Sequence, residues 1–327
     1  MSVILGIDVS KAKLDVCLLR DDQRPATKTL ANTLTGFEQL AQWLQQRQVN
    51  ELHACLEATG RYGEEVALFL HDQGYTVSVV NPAQIKAHAQ SQMQRNKTDK
   101  LDAALIADFC RKQQPPAWTP PDPAERELQA LVRHYDDLKV ALQQHRNRLE
   151  AGIASSLVIA QLQAQITLIQ QQMDEVLRQI NDHLDQHPDL KRQRDLLTSI
   201  PGLGDLTAAK LLAECRDIRR FQDVRQLVAF AGLNPKHRQS GSSVRGYPHI
   251  SKMGRASLRA ALYMPAVTAM RYNPILRAFA ERLRQRGVRG KAVVAAVMRK
   301  LLHLVYGILK SGQPFDPDYL LKCSTAS

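Results

Sequence analysis

Asp99 and Asp102 stand three residues apart in Asn96-Lys97-Thr98-Asp99-Lys100-Leu101-Asp102-Ala103-Ala104-Leu105-Ile106. Leu101, Leu105 and Ile106 recur at helical spacing behind Thr98, a good N-cap residue, so a helix is predicted to start here. The offset of three puts both carboxylates on one face of its first turn. Acids there also complement the helix dipole, which alone would account for them. Two further acids shift the balance. Asp8 stands near the end of the apolar run Val3–Val9, and Glu57 lies in Ala54-Cys55-Leu56-Glu57-Ala58. A carboxylate in an apolar strand calls for a partner or a metal. Three or four carboxylates from different elements can hold two Mg²⁺ or Mn²⁺ ions roughly 4 Å apart for phosphoryl transfer. Oxygen donors without His or Cys point to magnesium rather than zinc.

The elements predicted to position these acids follow from periodicity. Residues 3–9, 14–19 and 26–31 read as a three-strand meander broken by polar turns. A helix over 35–47, a strand over 52–58, a helix over 61–73 and a strand over 75–80 follow, and Asn81-Pro82 opens the helical stretch that leads to Asp99. This β-β-β-α-β-α-β-α order is that of the ribonuclease-H-like fold, in which Asp8, Glu57, Asp99 and Asp102 would converge.

Residues 114–123 are a proline-rich connector, after which no proline occurs until Pro188. Ile159, Leu162, Ile166, Ile169, Met173, Val176 and Ile180 step by 3 and 4, a heptad seam that favours helix pairing. The partner is either Leu128–Leu149 or a second protomer, with oligomerisation preferred. Ile200-Pro201-Gly202-Leu203-Gly204 between two helical runs is the pattern of a helix-hairpin-helix, whose amides can face a phosphate backbone. A plain helical turn would carry the same residues.

The charge is unevenly spread. Residues 191–327 carry a net +17 and residues 1–190 a net −5, giving the chain its +12. Such asymmetry suits a polyanion, with nucleic acid the first choice. In the basic part, Lys236-His237-Arg238-Gln239-Ser240-Gly241-Ser242-Ser243-Val244-Arg245-Gly246 sets a hydroxyl among cations and small residues, where a phosphate could approach. Seen alone, Ser240 is an ordinary loop serine. Lys252, Arg255 and Arg259 follow on a helix start and suit phosphate contacts.

No run of 18 apolar residues spans a membrane, and the N-terminus lacks the features of a signal peptide. Five cysteines without a CxxC pair argue against a disulfide framework and a zinc site, and fit a reducing, cytoplasmic setting.

Together, Gly6-Ile7-Asp8-Val9-Ser10-Lys11, Leu56-Glu57-Ala58-Thr59-Gly60, the Asn96–Ala103 stretch, Ser199-Ile200-Pro201-Gly202-Leu203-Gly204 and Gln239–Gly246 closely resemble the DEDD transposases. That family includes the Piv-type site-specific invertases and the bridge-RNA-guided recombinases of bacterial insertion sequences. The resemblance covers nearly the whole chain. It implies an α/β RuvC-like DEDD domain (1–150), an α-helical coiled coil (151–190) and a mainly α-helical, basic transposase domain with a helix-hairpin-helix (191–327). It also implies that Asp8, Glu57, Asp99 and Asp102 hold Mg²⁺, and that Ser240, just before the glycine of its loop, is the nucleophile. Donor and target DNA, a noncoding bridge RNA and a homo-oligomer are the partners implied. A RuvC-like nuclease using water would keep the four acids but leave Ser240 idle. A non-catalytic nucleic-acid-binding scaffold would leave the acids idle as well.

Overall fold

The apolar runs near the N-terminus become the middle of a five-stranded sheet. β1 (Ile4–Val9) pairs antiparallel with β2 (Lys13–Arg20), and β2 pairs antiparallel with β3 (Gln23–Ala31). After α1 (Leu34–Gln45), β4 (His53–Glu57) joins β1 in parallel. α2 (Glu64–Asp72) leads to β5 (Thr76–Val80), parallel to β4, and the strand order is β3-β2-β1-β4-β5. α3 (Pro82–Ser91) and α4 (Asp99–Gln113) complete this part. The computed structural model describes residues 3–20, 23–58, 62–92, 99–236, 239–240, 244–245 and 249–318, with the backbone alone at 23, 99–101, 236, 239–240 and 244–245. It divides into two compact units, Met1–Pro120 and Pro121–Ser327.

Strand alternation gives the first unit a core on each sheet face. Leu5, Ile7, Val16, Leu18 and Leu56 pack with Phe37, Leu40 and Leu44 of α1 and Val66 and Leu70 of α2. Ile4, Cys17 and Cys55 face the other way, onto Ala103, Ile106, Ala107 and Cys110 of α4. The three cysteines, far apart in sequence, thus share one core, and burial pushes the Cys17 thiol up. Thr98, the expected cap of α4, and Cys323 lie outside the described residues. At α3 the expected start is built as read: Pro82 is in the first turn and the Asn81 side chain accepts from the Ala83 N–H at 2.9 Å.

The proline-rich connector does more than join. Prolines offer carbonyls but no N–H. The Ser78 hydroxyl lies 3.0 and 2.8 Å from the Pro115 and Pro116 carbonyls, and the Trp118 N–H donates to Val77 O at 2.6 Å. With Trp118 against the core, the connector covers the open edge of β5. The first compact unit ends at Pro120, directly after this connector.

The second unit begins with α5 (Pro123–Glu150) and α6 (Ser156–Gln186). Gly152, at φ +81°, takes the left-handed turn between them. His183 Nε2, near the end of α6, lies 2.8 Å from the Ala124 carbonyl near the start of α5, so the helices run antiparallel. Ile169, Val176 and Ile180 of the seam are buried with Leu128, Val132, Leu138 and Leu142 of α5, and Leu162 is buried as well. The seam is thus used within the chain and gives no ground for the preferred oligomer. It also draws α5 into this unit rather than the first.

α7 (Pro188–Thr198) and α8 (Asp205–Cys215) flank the turn at Ile200–Gly204. Gly202 has φ +103°, and a Cβ there would lie 2.9 Å from Ala269, so the turn is pressed onto a later helix. A 3₁₀ turn (Ile218–Arg220) and α9 (Val224–Phe230) precede four two-residue strands: β6 (Pro235–Lys236), β7 (Gln239–Ser240), β8 (Val244–Arg245) and β9 (His249–Ile250). α10 (Ala256–Tyr272), α11 (Pro274–Gln285) and α12 (Lys291–Ser311) follow. By length and composition α12 could cross a membrane, with a mean hydropathy of 1.7 over its most apolar window. Val297, Leu301, Leu302 and Val305 are fully buried in the core of this unit, which explains its apolar character.

Candidate active site

Gly6 decides how closely α4 approaches the sheet. A Cβ at this position would lie 2.2 Å from the Ala103 carbonyl and 2.4 Å from the Ala107 nitrogen. Only glycine lets the helix settle there. Asp8 follows Gly6 by two residues and so points to the α4 side of β1. Glu57 follows Cys55, whose thiol is in the core beneath α4, and shares that side. Ile7 and Leu56 are the last cross-strand partners of the parallel β1–β4 pair, so Asp8 and Glu57 stand one step beyond them on adjacent strands. Asp102 precedes Ala103, the residue at the Gly6 contact. Asp99 begins α4, and its side chain lies outside the described residues.

Asp15 is a fifth acid that the sequence reading passed over. It pairs directly with Asp8 across β1 and β2, on the same face, and is only 4% exposed. The Thr29 hydroxyl donates to its carboxylate at 2.5 Å, and Lys13 Nζ is 3.0 Å away. The criterion that singled out Glu57, an acid in an apolar strand, would have found it in Leu14-Asp15-Val16-Cys17. Asn32 binds this corner together. Its amide donates to the Ser10 carbonyl at 2.9 Å and the Tyr62 carbonyl at 3.0 Å, joining the turn after Asp8 to the segment after Glu57. The Ser10 hydroxyl closes the β1–β2 turn by donating to the Lys13 carbonyl at 2.9 Å.

Asp8 and Glu57 stand side by side beneath the helix that carries Asp102, and carboxylate oxygens are the donors a hard divalent cation takes. Among the described residues no group of three or more His, Cys, Asp or Glu is close enough to hold a metal ion.

Ser240 is the last residue of β7 and pairs with Val244 of β8, while Lys236 of β6 pairs with His249 of β9. These two pairs of short strands, the tongue, stand where the sequence suggested a basic loop. Strands of two residues are too short to show alternation. The base of the tongue is fixed by close backbone contact. A Cβ on Gly254 would lie 2.4 Å from the Phe230 carbonyl and 2.6 Å from the Gly232 nitrogen. The Ser251 N–H donates to the Asn234 carbonyl at 2.9 Å, and the Lys252 N–H to the Gly232 carbonyl at 3.1 Å. Lys252 has φ +55°, which favours glycine.

The cations fall into two groups. The Lys252 side chain is exposed. Arg255, by contrast, meets the buried Glu214 carboxylate at 3.2 Å, and Arg259 donates to the Ala231 and Gly254 carbonyls at 2.9 and 3.1 Å. These two arginines hold the base of the tongue. Arg238 and the side chains of Lys236, Ser240 and Arg245 lie outside the described residues.

A mixed sheet that carries acids and a basic helical unit fit an enzyme of nucleic acids. Comparison with known proteins makes this specific. A model of the DEDD transposases of the IS110 type matches residues 5–155, and one of the IS116/IS110/IS902 transposases matches residues 194–281. The pilin gene-inverting protein of Moraxella bovis is 36% identical over 316 residues, covering 95% of this chain and 97% of the relative. The transposase of insertion sequence IS1111A from Coxiella burnetii is 24% identical over 82% of this chain and 78% of its own. The chain belongs to the IS110 family of transposases and is a DNA transposase/recombinase whose substrate is DNA.

Proposed function

We propose that this transposase exchanges DNA strands through a covalent phosphoserine at Ser240. The Ser240 hydroxyl attacks a DNA phosphorus, the bond to the 3′ oxygen breaks, and that oxygen leaves with a proton as a 3′-hydroxyl. The free 3′-hydroxyl of another strand then attacks the phosphoserine, reforms a phosphodiester and returns the proton to Ser240. One phosphoester replaces another at each step, so no ATP is needed. Asp8, Glu57, Asp99 and Asp102 would hold Mg²⁺ or Mn²⁺, which supplies charge stabilisation at the transferring phosphoryl group and the leaving oxygen. Lys236, Arg238, Arg245 and Lys252 neutralise the phosphate, while Arg255 and Arg259 position the tongue.

The observation that supports the metal-binding part of this reading is the juxtaposition of Asp8 and Glu57 on adjacent parallel strands beneath α4. Strand exchange also relates inversion to transposition, as the names of the pilin gene-inverting and transposase relatives suggest. The same reading assigns donor and target choice to a noncoding bridge RNA and the assembly to a homo-oligomer acting in the cytoplasm. Asp8→Asn and Asp102→Asn are expected to abolish strand exchange while nucleic-acid affinity stays within about threefold, since phosphate contacts are the work of cations rather than carboxylates. Near-normal exchange by either variant would overturn the carboxylate assignment.

A further inference from the structure

One face of the second unit has no part in this chemistry. Tyr263, Met270, Arg284, Lys291, Val293 and Val294 line an open cavity of about 340 Å³. Val293 and Val294 are 2% and 9% exposed and form its floor. The Tyr263 ring is 38% exposed, and Met264 and Tyr272 on the same helix are more exposed still. With Met253 just ahead of α10, four of the ten exposed large apolar side chains among the described residues fall within twenty residues. That concentration marks a contact surface rather than scattered exposure.

Its charge selects the partner. From Arg271 to Lys300 the chain carries nine Lys and Arg against one acid, Glu281. The Arg284 and Lys291 side chains are exposed. A second copy of the chain would bring the same cations face to face. A nucleic acid would neutralise them, and an exposed aromatic ring beside cations is how unpaired bases are held. A duplex keeps its bases stacked and has none to place in a cavity.

We propose that this cavity receives an unpaired nucleotide of a single strand, its base against Tyr263 and Met270 and its phosphate between Arg284 and Lys291. The inference rests on the reading that the chain handles nucleic-acid strands during exchange, when bases are unpaired. Its readout is binding, which does not depend on an adduct at Ser240, so the two readings fail separately. The test measures affinity of the full chain for DNA and RNA single strands of about twelve nucleotides, and for duplexes of equal length. Tyr263→Leu is expected to weaken single-strand binding about tenfold and duplex binding less than about twofold, with Tyr263→Phe near the parent. Arg284→Gln with Lys291→Gln is expected to weaken single-strand binding and lower its salt slope by about one to two. A strand carrying 5-iodouracil is expected to crosslink to the Tyr263 peptide. Equal losses on single strand and duplex, no loss in Tyr263→Leu, a crosslink confined to other peptides, or a dimer dissolved by Tyr263→Leu would each overturn the proposal.

Discussion

The carboxylate frame and the serine tongue hold polar groups in place by opposite means. Asp8 and Glu57 sit on strands with packed cores on both faces, and their spacing from α4 is set by a missing methyl at Gly6. Ser240 sits on a two-residue strand. Its tongue is fixed at the base, where Gly232 meets Gly254 and where Arg255 and Arg259 are tied to Glu214 and backbone carbonyls. The frame's geometry is therefore inseparable from the stability of its unit.

The largest expected effect is at the frame. Gly6→Ala must push α4 off β1 and is expected to cost at least about 3 kcal/mol and to abolish strand exchange. The only tryptophans, Trp43 and Trp118, both belong to the first unit, so their fluorescence during denaturant unfolding reports that unit directly. Gly254→Ala is the counterpart in the tongue. Its φ of +158° and the 2.4 Å approach to Phe230 O predict a local cost of about 1–3 kcal/mol and loss of exchange, with the tryptophan-detected transition unchanged. A shift of that transition in Gly254→Ala would erase the distinction between the two regions.

Smaller effects sharpen it. Arg255→Ala strands the buried Glu214 carboxylate; with Arg255 35% exposed, a loss of about 1–2 kcal/mol is expected, partly restored by adding Glu214→Gln. Lys252→Ala should leave stability within about 0.5 kcal/mol and lower DNA affinity instead. Thermal melts and salt-dependent binding of the two variants separate a positioning arginine from a phosphate-binding lysine. The smallest effect is at Asp108 in the first unit. Burial alone would raise its pKa, but hydrogen bonds from Lys112, Gln92, His88 and Arg111 outweigh burial and hold the carboxyl well below the usual range. A depressed carboxyl stabilises the fold above its unfolded pKa and loses that contribution as pH falls through its folded value. Asp108→Asn should cost on the order of 1 kcal/mol at neutral pH. The gap should narrow as pH drops below about 4.

The sheet was legible because its strands are long enough to show their pattern. Residues 3–9 and 14–19 read as strands, and α1, β4, α2 and β5 fell within three residues of expectation at each end. The helix breaks at Gly152 and Gly202 were legible because glycine marks positive φ. Three features were not. The tongue has strands too short for periodicity. Arg255 and Arg259 share a basic run with exposed lysines, and charge alone does not tell a surface cation from one turned onto Glu214. The seam of α6 names an apolar face but not its partner, which is fixed by the five-residue connection to α5. Asp15 was missed although its strand context was visible.

The most direct test traps the covalent state. The protein is expressed with its complete element and flanking DNA in the presence of magnesium, denatured, digested and searched by mass spectrometry for a nucleotide remnant on the Ser240 peptide, with Ser240→Ala in parallel. The expected result is an adduct on Ser240 that disappears in the variant together with strand exchange. Cleaved DNA from both proteins with no adduct on either would contradict it and make water the nucleophile.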